Sequence, residues 1–154
     1  MKAVVMAGGF GTRLRPLTEK LPKPMAYVAN RPMMEHVVRL LAKEGIKDLE
    51  VLLYFFPEKI MDYFGDGSRW GMRINYIGAE ADYGTAGAVK MAEDRLDGTF
   101  LVISADIITD FDLSKAFEFH RENRAAATMV LTRVPNPIQY GIVLPGPDVD
   151  DGVP

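Results

Sequence analysis

The stretch MKAVVMAGGFGTRLRPLTEKLPKP (residues 1–24) decides how the rest of the chain is interpreted. Its first part, KAVVMA (2–7), is a short apolar run that ends at glycines, which is typical of a buried strand. The glycines Gly8, Gly9 and Gly11 follow within four positions. A glycine-rich turn after a strand lets backbone N–H groups approach a phosphate closely. The opening therefore predicts a first strand followed by an anion-binding loop.

Two standard phosphate-binding templates do not match this loop. The P-loop requires G-x-x-x-x-G-K-[ST], but the fifth residue after Gly8 is Arg13 and no G-K-[ST] occurs. The dinucleotide fingerprint G-x-G-x-x-G begins at Gly9 and Gly11, but Leu14 occupies the place of its third glycine. The loop therefore belongs to neither class.

Two cations accompany the glycines. Arg13 can form a two-pronged hydrogen bond to phosphate oxygens. Lys23 lies between Pro22 and Pro24, which restrain its backbone and so lower the entropy lost when an anion is bound. An arginine on the glycine turn and a restrained lysine nearby would suit a polyphosphate that reacts with a second phosphate.

Composition and charge narrow the function further. The chain has 154 residues, enough for one domain with a core, and no apolar run long enough to span a bilayer. It contains no cysteine, which excludes disulfides and cysteine chemistry. Residues 1–40 carry seven basic and two acidic side chains, whereas the whole chain has a net charge of −3. This distribution favours a local anion site over nucleic-acid or membrane binding, and we expect a cytoplasmic protein.

The remaining sequence alternates strand-like and helix-like segments. Apolar runs predict strands over 2–7, 48–56, 72–78, 98–106, 125–134 and 141–144, and helical spacing predicts helices over 32–45, 57–67, 85–96 and 112–123. This alternation predicts an α/β fold, a doubly wound, mostly parallel (Rossmann-like) sheet with helices on both faces. Residues 1–144 would form one nucleotide-binding domain, and the Pro/Gly/Asp-rich residues 145–154 a mobile tail.

Two later segments are expected at the carboxyl ends of the strands, where such sheets bind ligands. YGTAGA (83–88) offers small residues against which a flat base can lie, with free N–H groups in the first helical turn. The same segment could equally be a helix whose small residues pack against the sheet. Asp106 ends a predicted strand, and its carboxylate suits Mg²⁺, which prefers oxygen ligands and substrate phosphates.

These motifs resemble a known family. AGGFGTRLRPLT followed by PKP is similar to the signature A-G-G-x-G-T-R-L-x-P-L-T…P-K-P of the sugar-1-phosphate nucleotidylyltransferases. The likeness continues to about residue 144. YFGDGSRWGMRINYI and DYGTAGAVKMAEDRL most resemble the mannose-1-phosphate guanylyltransferase branch.

The resemblance implies nucleotidyl transfer from an NTP, with GTP favoured, to a sugar 1-phosphate, with Mg²⁺ as cofactor. Arg13 would bind the leaving β- and γ-phosphates, and Lys23 the phosphates at the reacting centre. Asp106 would hold Mg²⁺ and contact the sugar, beside which Gly141 would pack. The nucleotide-binding residues implied are Ala7, Gly8, Gly9, Gly11, Thr12, Arg13, Gly84, Thr85, Ala86 and Gly87.

The sequence also departs from the family. Ala105 stands where the family has glycine, and the family's E-K-P lysine and later metal-binding aspartate do not occur in these 154 residues. We therefore expect an N-terminal part of the catalytic domain, with a sheet incomplete at its C-terminus, that self-associates, binds NTP weakly and turns over little. Two alternatives remain: transfer from UTP or dTTP to glucose 1-phosphate, and a non-catalytic nucleotide-binding relative.

Overall fold

A computed structural model describes residues 1–81, 83–136, 138 and 140–143. The chain divides into two compact units, Met1–Leu113 and Ser114–Pro154, each of which is described by itself. In the described part of the chain no helix is both long and apolar enough to cross a membrane.

The first unit alternates strands and helices. In chain order it contains β1 (Lys2–Met6), β2 (Tyr27–Val28), β3 (Arg31–Pro32), α1 (Met33–Lys43), β4 (Asp48–Leu53), α2 (Pro57–Phe64), β5 (Arg73–Gly78), α3 (Gly84–Lys90) and β6 (Phe100–Ser104), and α4 (Leu113–Glu122) leads into the second unit. Short 3₁₀ helices span Thr12–Leu14, Lys23–Met25, Ser68–Trp70 and Glu93–Arg95.

A four-stranded parallel sheet organises this unit. Its strand order is β5-β4-β1-β6, and Val5 of β1 lies between Val51 of β4 and Ile103 of β6. Val4 and Val5 point to opposite faces of β1, and both are fully buried, so both faces of this central strand are covered. The parallel order confirms the predicted α/β, Rossmann-like class. A separate antiparallel pair joins β2 to β3.

Two predicted elements end earlier than their sequence pattern indicates. The second predicted strand reaches Phe56, but β4 ends at Leu53, because Phe56 has a left-handed φ of 47° and Pro57 starts α2. The predicted helix over 85–96 ends at Lys90 as α3, and a 3₁₀ helix follows at Glu93–Arg95. In both places apolar residues continue past the end of the regular hydrogen-bond ladder.

The strand predicted over 125–134 is wrong. These residues form neither helix nor strand, and Met129, Val130 and Leu131 are exposed. A strand requires a hydrogen-bonding neighbour, whereas Thr128 contacts His120 of α4 through its hydroxyl at 3.0 Å. The strand predicted over 141–144 is likewise not formed at 141–143, and its last residue and the expected tail 145–154 lie outside the described residues.

Candidate functional site

A cavity of about 280 Å³ opens at the carboxyl ends of the four parallel strands. Met6, Leu53, Ile77 and Ser104, which lie at or near the ends of β1, β4, β5 and β6, all line it. Parallel sheets bind ligands at this edge because the loops that follow the strands meet there. The cavity therefore lies at the edge of the sheet where the sequence predicts the ligand-binding loops.

Backbone hydrogen bonds fix the start of the glycine loop. Ala7 N–H donates to the carbonyl of Leu52 at 2.9 Å, and Ala105 N–H donates to the carbonyl of Met6 at 2.9 Å. A Cβ at Gly8 would lie 3.1 Å from Cβ of Tyr54, so the loop passes close to the end of β4. The loop thus leaves the sheet from a rigid base, between two neighbouring strands.

Gly11 connects the loop to Lys23. Its φ is +62°, and a Cβ there would lie 2.8 Å from Cβ of Lys23 and 3.0 Å from Cγ2 of Thr18. The Thr18 hydroxyl is buried and donates to the Gly11 carbonyl at 2.7 Å. Only glycine combines this backbone conformation with so close an approach. Gly11 therefore positions Lys23 without lining the cavity itself.

Lys23 and Asp106 meet across the cavity. Lys23 begins the 3₁₀ helix that follows Pro22, whereas Asp106 lies two residues after β6. Their ammonium and carboxylate groups form an ion pair, and each side chain is about one third exposed, at 34% and 29%. Each charge therefore remains accessible to a molecule in the cavity. An anion that binds Lys23, or a cation that binds Asp106, has to compete with this pair.

The structure brings together seven of the predicted site residues. The lining includes Ala7, Gly8, Gly9, Lys23, Gly84, Thr85 and Asp106. Four residues of the opening and of α3 lie beside it instead, namely Gly11, Thr12, Ala86 and Gly87. Gly87 still shapes the wall, because a Cβ there would lie 2.9 Å from Cβ of Tyr83, which does line the cavity.

Two further predicted residues, Arg13 and Gly141, are also absent from the cavity lining. Arg13 lies on the exposed 3₁₀ helix Thr12–Leu14, immediately after the glycine loop. Gly141 lies in the second unit and is exposed, and apart from its chain neighbours no described residue has an atom within 4 Å of where its Cβ would be. Both assignments therefore stay predictions.

The cavity also has an aromatic and apolar wall that the sequence motifs do not predict. The ring of Phe10 packs edge-on to Tyr54, with centroids 5.4 Å apart, and against Phe55 at 5.3 Å. Other apolar residues of the lining are Ile77, Ala79, Ala81, Ala88 and Met91. The sequence feature that could have indicated this wall is the aromatic run YFF (54–56). The hydrophobic pattern assigns this run to a strand, but it follows the end of β4.

Ala105 fits its position without strain. It is fully buried, does not line the cavity, and is not among the residues with positive φ. No positive φ therefore requires the glycine of the family signature at this position.

Asp106 is the residue that could hold a divalent cation here. The described residues contain no group of three or more His, Asp or Glu side chains that could hold a metal by themselves. Mg²⁺ usually binds through one or two carboxylates together with waters and substrate phosphates. A single carboxylate that lines the cavity beside Lys23 fits that mode of binding.

Comparison with known proteins agrees with this geometry. Residues 2–152 match the nucleotidyl transferase family. The mannose-1-phosphate guanyltransferase of Yarrowia lipolytica is 38% identical over 148 residues, which are 94% of this chain and 41% of that protein. The chain thus spans about two fifths of the length of the curated relatives that it matches.

Two solved structures share the fold. A Bacillus anthracis protein assigned as a glucose-1-phosphate thymidylyltransferase, in complex with sucrose, superposes with a TM-score of 0.75 at 27% identity, over 79% of this chain and 50% of that one. HddC from Yersinia pseudotuberculosis, in complex with GMP-PN, gives 0.69 at 27% identity, over 77% and 53%. From its signature, its fold and these matches, the chain belongs to the nucleotidyl transferase family.

Proposed function

We propose that the cavity binds an NTP and a sugar 1-phosphate and serves the transfer of a nucleotidyl group, giving an NDP-sugar and pyrophosphate. The convergence of the glycine loop, Lys23 and Asp106 on one cavity supports this most directly. GTP and mannose 1-phosphate are the favoured pair, since relatives that are 37–38% identical to this chain are named mannose-1-phosphate guanyltransferases. The complex of HddC with GMP-PN supports a purine nucleotide as the ligand proposed here.

Nucleotidyl transfer depends on the positioning of the substrates and the neutralisation of their charge more than on covalent catalysis by the protein. A phosphate oxygen of the sugar 1-phosphate forms a new bond to the α-phosphorus. The bond from that phosphorus to the bridging oxygen breaks, and pyrophosphate leaves with the electron pair. Lys23 neutralises negative charge on the reacting phosphates, and Arg13 on the leaving group. The backbone of the glycine loop and of Gly84–Gly87 holds the nucleoside against the apolar wall.

Mg²⁺ is the proposed cofactor, and Asp106 is the residue that would hold it. When bound, the ion would supply positive charge to the triphosphate. We propose that Asp106 also contacts the sugar and that Gly141 packs beside the sugar. We further propose that the protein acts in the cytoplasm. We also propose that it is a homo-oligomer, and size-exclusion chromatography with light scattering would test this oligomeric state.

The decisive experiment is a binding and turnover panel on the purified chain. Thermal unfolding is followed with Mg²⁺ and GTP, ATP, UTP or dTTP, each with mannose 1-phosphate or glucose 1-phosphate, and pyrophosphate release is recorded in the same wells. GTP should raise the Tm most, because a ligand that binds only the folded state stabilises it. A larger effect of UTP or dTTP would replace the guanylyl assignment, and no effect of any NTP would contradict nucleotide binding.

Lys23→Gln should weaken binding of Mg²⁺–GTP by about tenfold or more, since a hydrogen bond to a charged group contributes roughly 1.5–3 kcal/mol. The substitution also leaves the Asp106 carboxylate unpaired beside the phosphates. Isothermal titration calorimetry measures the change. Lys20→Gln is the matched control, because Lys20 is exposed and does not line the cavity. Equal affinities of the two variants would remove Lys23 from the phosphate site.

A further inference from the structure

A second cationic cluster surrounds Glu35, and none of its residues lines the cavity. The side chain of Glu35 is only 4% exposed and forms ion pairs with Arg31 at 3.4 Å, Arg39 at 2.7 Å and Arg69 at 3.7 Å. Tyr63 donates its hydroxyl to the second carboxylate oxygen at 2.6 Å. Three guanidinium groups from β3, α1 and the 3₁₀ helix Ser68–Trp70 therefore converge on one carboxylate.

The charges of this cluster do not balance. Glu35 is the only carboxylate with which any of the three arginines forms an ion pair in the described part of the chain. Burial alone would raise the pKa of Glu35, but hydrogen bonds from Tyr63 and Arg39 outweigh it and lower that pKa, so the carboxylate stays ionised at neutral pH. Three positive charges against one negative leave an excess of two.

The excess charge is accessible. The arginine side chains remain 48%, 52% and 59% exposed, and one carboxylate cannot accept all the N–H donors that three guanidinium groups present. Each arginine is anchored at one point and keeps further donors toward solvent. Several exposed guanidinium groups with unused N–H donors are suited to binding an anion that carries more than one negative charge.

The cluster is also held in place before any anion arrives. The guanidinium of Arg69 stacks on the ring of Trp70, 4.0 Å from its centroid, and lies 4.9 Å from the centroid of Tyr63. Arg39 is one turn of α1 after Glu35, and its Nε is at hydrogen-bond distance from the carboxylate. Arginines that are already ordered lose little conformational entropy on binding.

We propose that the arginine cluster, Arg31, Arg39 and Arg69 around Glu35, binds a small molecule that carries a phosphate group. A phosphate monoester has a charge of about −1.5 to −2 at neutral pH, which matches the excess of the cluster. Guanidinium groups bind its oxygens in pairs. Such a site would let a phosphorylated metabolite bind the protein without competing for the cavity.

Trp70 makes the proposal directly testable, because it is the only tryptophan in the sequence and stacks on Arg69. The probe is inorganic phosphate, titrated at constant ionic strength maintained with chloride. We expect a saturable change in tryptophan emission. Arg31→Gln should raise the Kd about tenfold, and Arg31→Lys should recover part of the loss, because lysine keeps the charge without the fork of donors.

Two control variants distinguish phosphate binding at the arginine cluster from binding in the cavity and from an effect of the protein's net charge. Lys23→Gln should leave the emission titration unchanged even if it abolishes nucleotide binding, so failure of this proposal and failure of the proposed function are distinguishable. Arg73→Gln removes one positive charge from an arginine that is already paired one to one with Asp48 at 2.6 Å, and should also leave it unchanged. The proposal is overturned if phosphate gives no saturable response, or if Arg31→Gln binds as tightly as the wild-type chain.

Discussion

At the scale of single residues, Gly11 is the position where the site depends most on the absence of a side chain. The left-handed φ, the close approach of Lys23 and the hydrogen bond from Thr18 all converge on it. Gly9, two residues earlier, has open space around its would-be Cβ and no positive φ. The two glycines therefore have different roles, although the sequence presents them as one motif.

Gly11→Ala should lower the free energy of unfolding by about 1–3 kcal/mol, because alanine is strained at positive φ and its methyl group would push Lys23 away. Gly9→Ala should change it by less than about 0.5 kcal/mol, as is usual for substitutions without such a conflict. Urea denaturation followed by circular dichroism measures both. Equal losses from the two variants would contradict the role given to Gly11.

The sequence indicated the main residues of the site but not their supports. Lys23 and Asp106 are 83 positions apart, yet the sequence predicts one site for both, because parallel strands carry their following loops to the same edge. Glu35 and Glu50 are buried glutamates that the pattern gives no reason to single out. Their burial depends on partners from other elements, such as Tyr63 and Asn75, and a one-dimensional pattern does not contain those contacts.

At the scale of elements, Glu50 attaches the end of the α3 segment to the sheet. It lies on β4 and is 3% exposed, and it accepts a hydrogen bond from Asn75 of β5 at 2.9 Å. Arg95, in the 3₁₀ helix after α3, pairs with its other oxygen at 3.3 Å. Since α3 begins at Gly84 in the cavity wall, this contact helps to hold the wall in place.

Glu50→Ala should therefore destabilise the fold by about 1–3 kcal/mol, since it leaves the half-buried amide of Asn75 without its acceptor. Glu93→Ala is the matched control, because Glu93 lies in the same 3₁₀ helix as Arg95 but is exposed. Guanidinium denaturation gives both values. A loss of less than 1 kcal/mol for the Glu50 variant would show that Arg95 and Asn75 find other partners.

Elements were predictable where a segment and its neighbour both belong to the sheet. The apolar runs of β1 and β4 are buried because each of these strands lies between two parallel neighbours, whereas β6, at the edge of the sheet, buries only Ile103. The run over 125–134 is also apolar, but it pairs with no strand among the described residues of the second unit, and most of its side chains are exposed. Hydrophobic pattern reports the capacity to form a strand, whereas pairing depends on what lies beside it.

At the scale of the whole molecule, stability should decline in acid, because several carboxylates have a lowered pKa in the fold. Hydrogen bonds that Ser68 donates to the Asp66 carboxylate lower the pKa of Asp66. The hydrogen bond from Lys2 lowers the pKa of Asp97. For Glu35, the bonds from Tyr63 and Arg39 outweigh burial and lower the pKa below its ordinary 4.5. All three groups bind protons less readily in the folded than in the unfolded chain.

A lowered folded pKa fixes the sign of the pH dependence. The stability that Glu35 contributes is fully present above its unfolded pKa of 4.5 and is lost as pH falls through the lower folded value. Glu35→Gln should therefore be less stable than the wild-type chain at pH 7, and the difference should shrink steadily below about pH 4.5. The mutant also loses the anion that offsets three arginines, so low ionic strength should enlarge the difference at pH 7. Urea denaturation from pH 3 to pH 7 tests this, with Glu93→Gln as the exposed control. A difference that stays constant across this range would mean that Glu35 acts by packing and not through its charge.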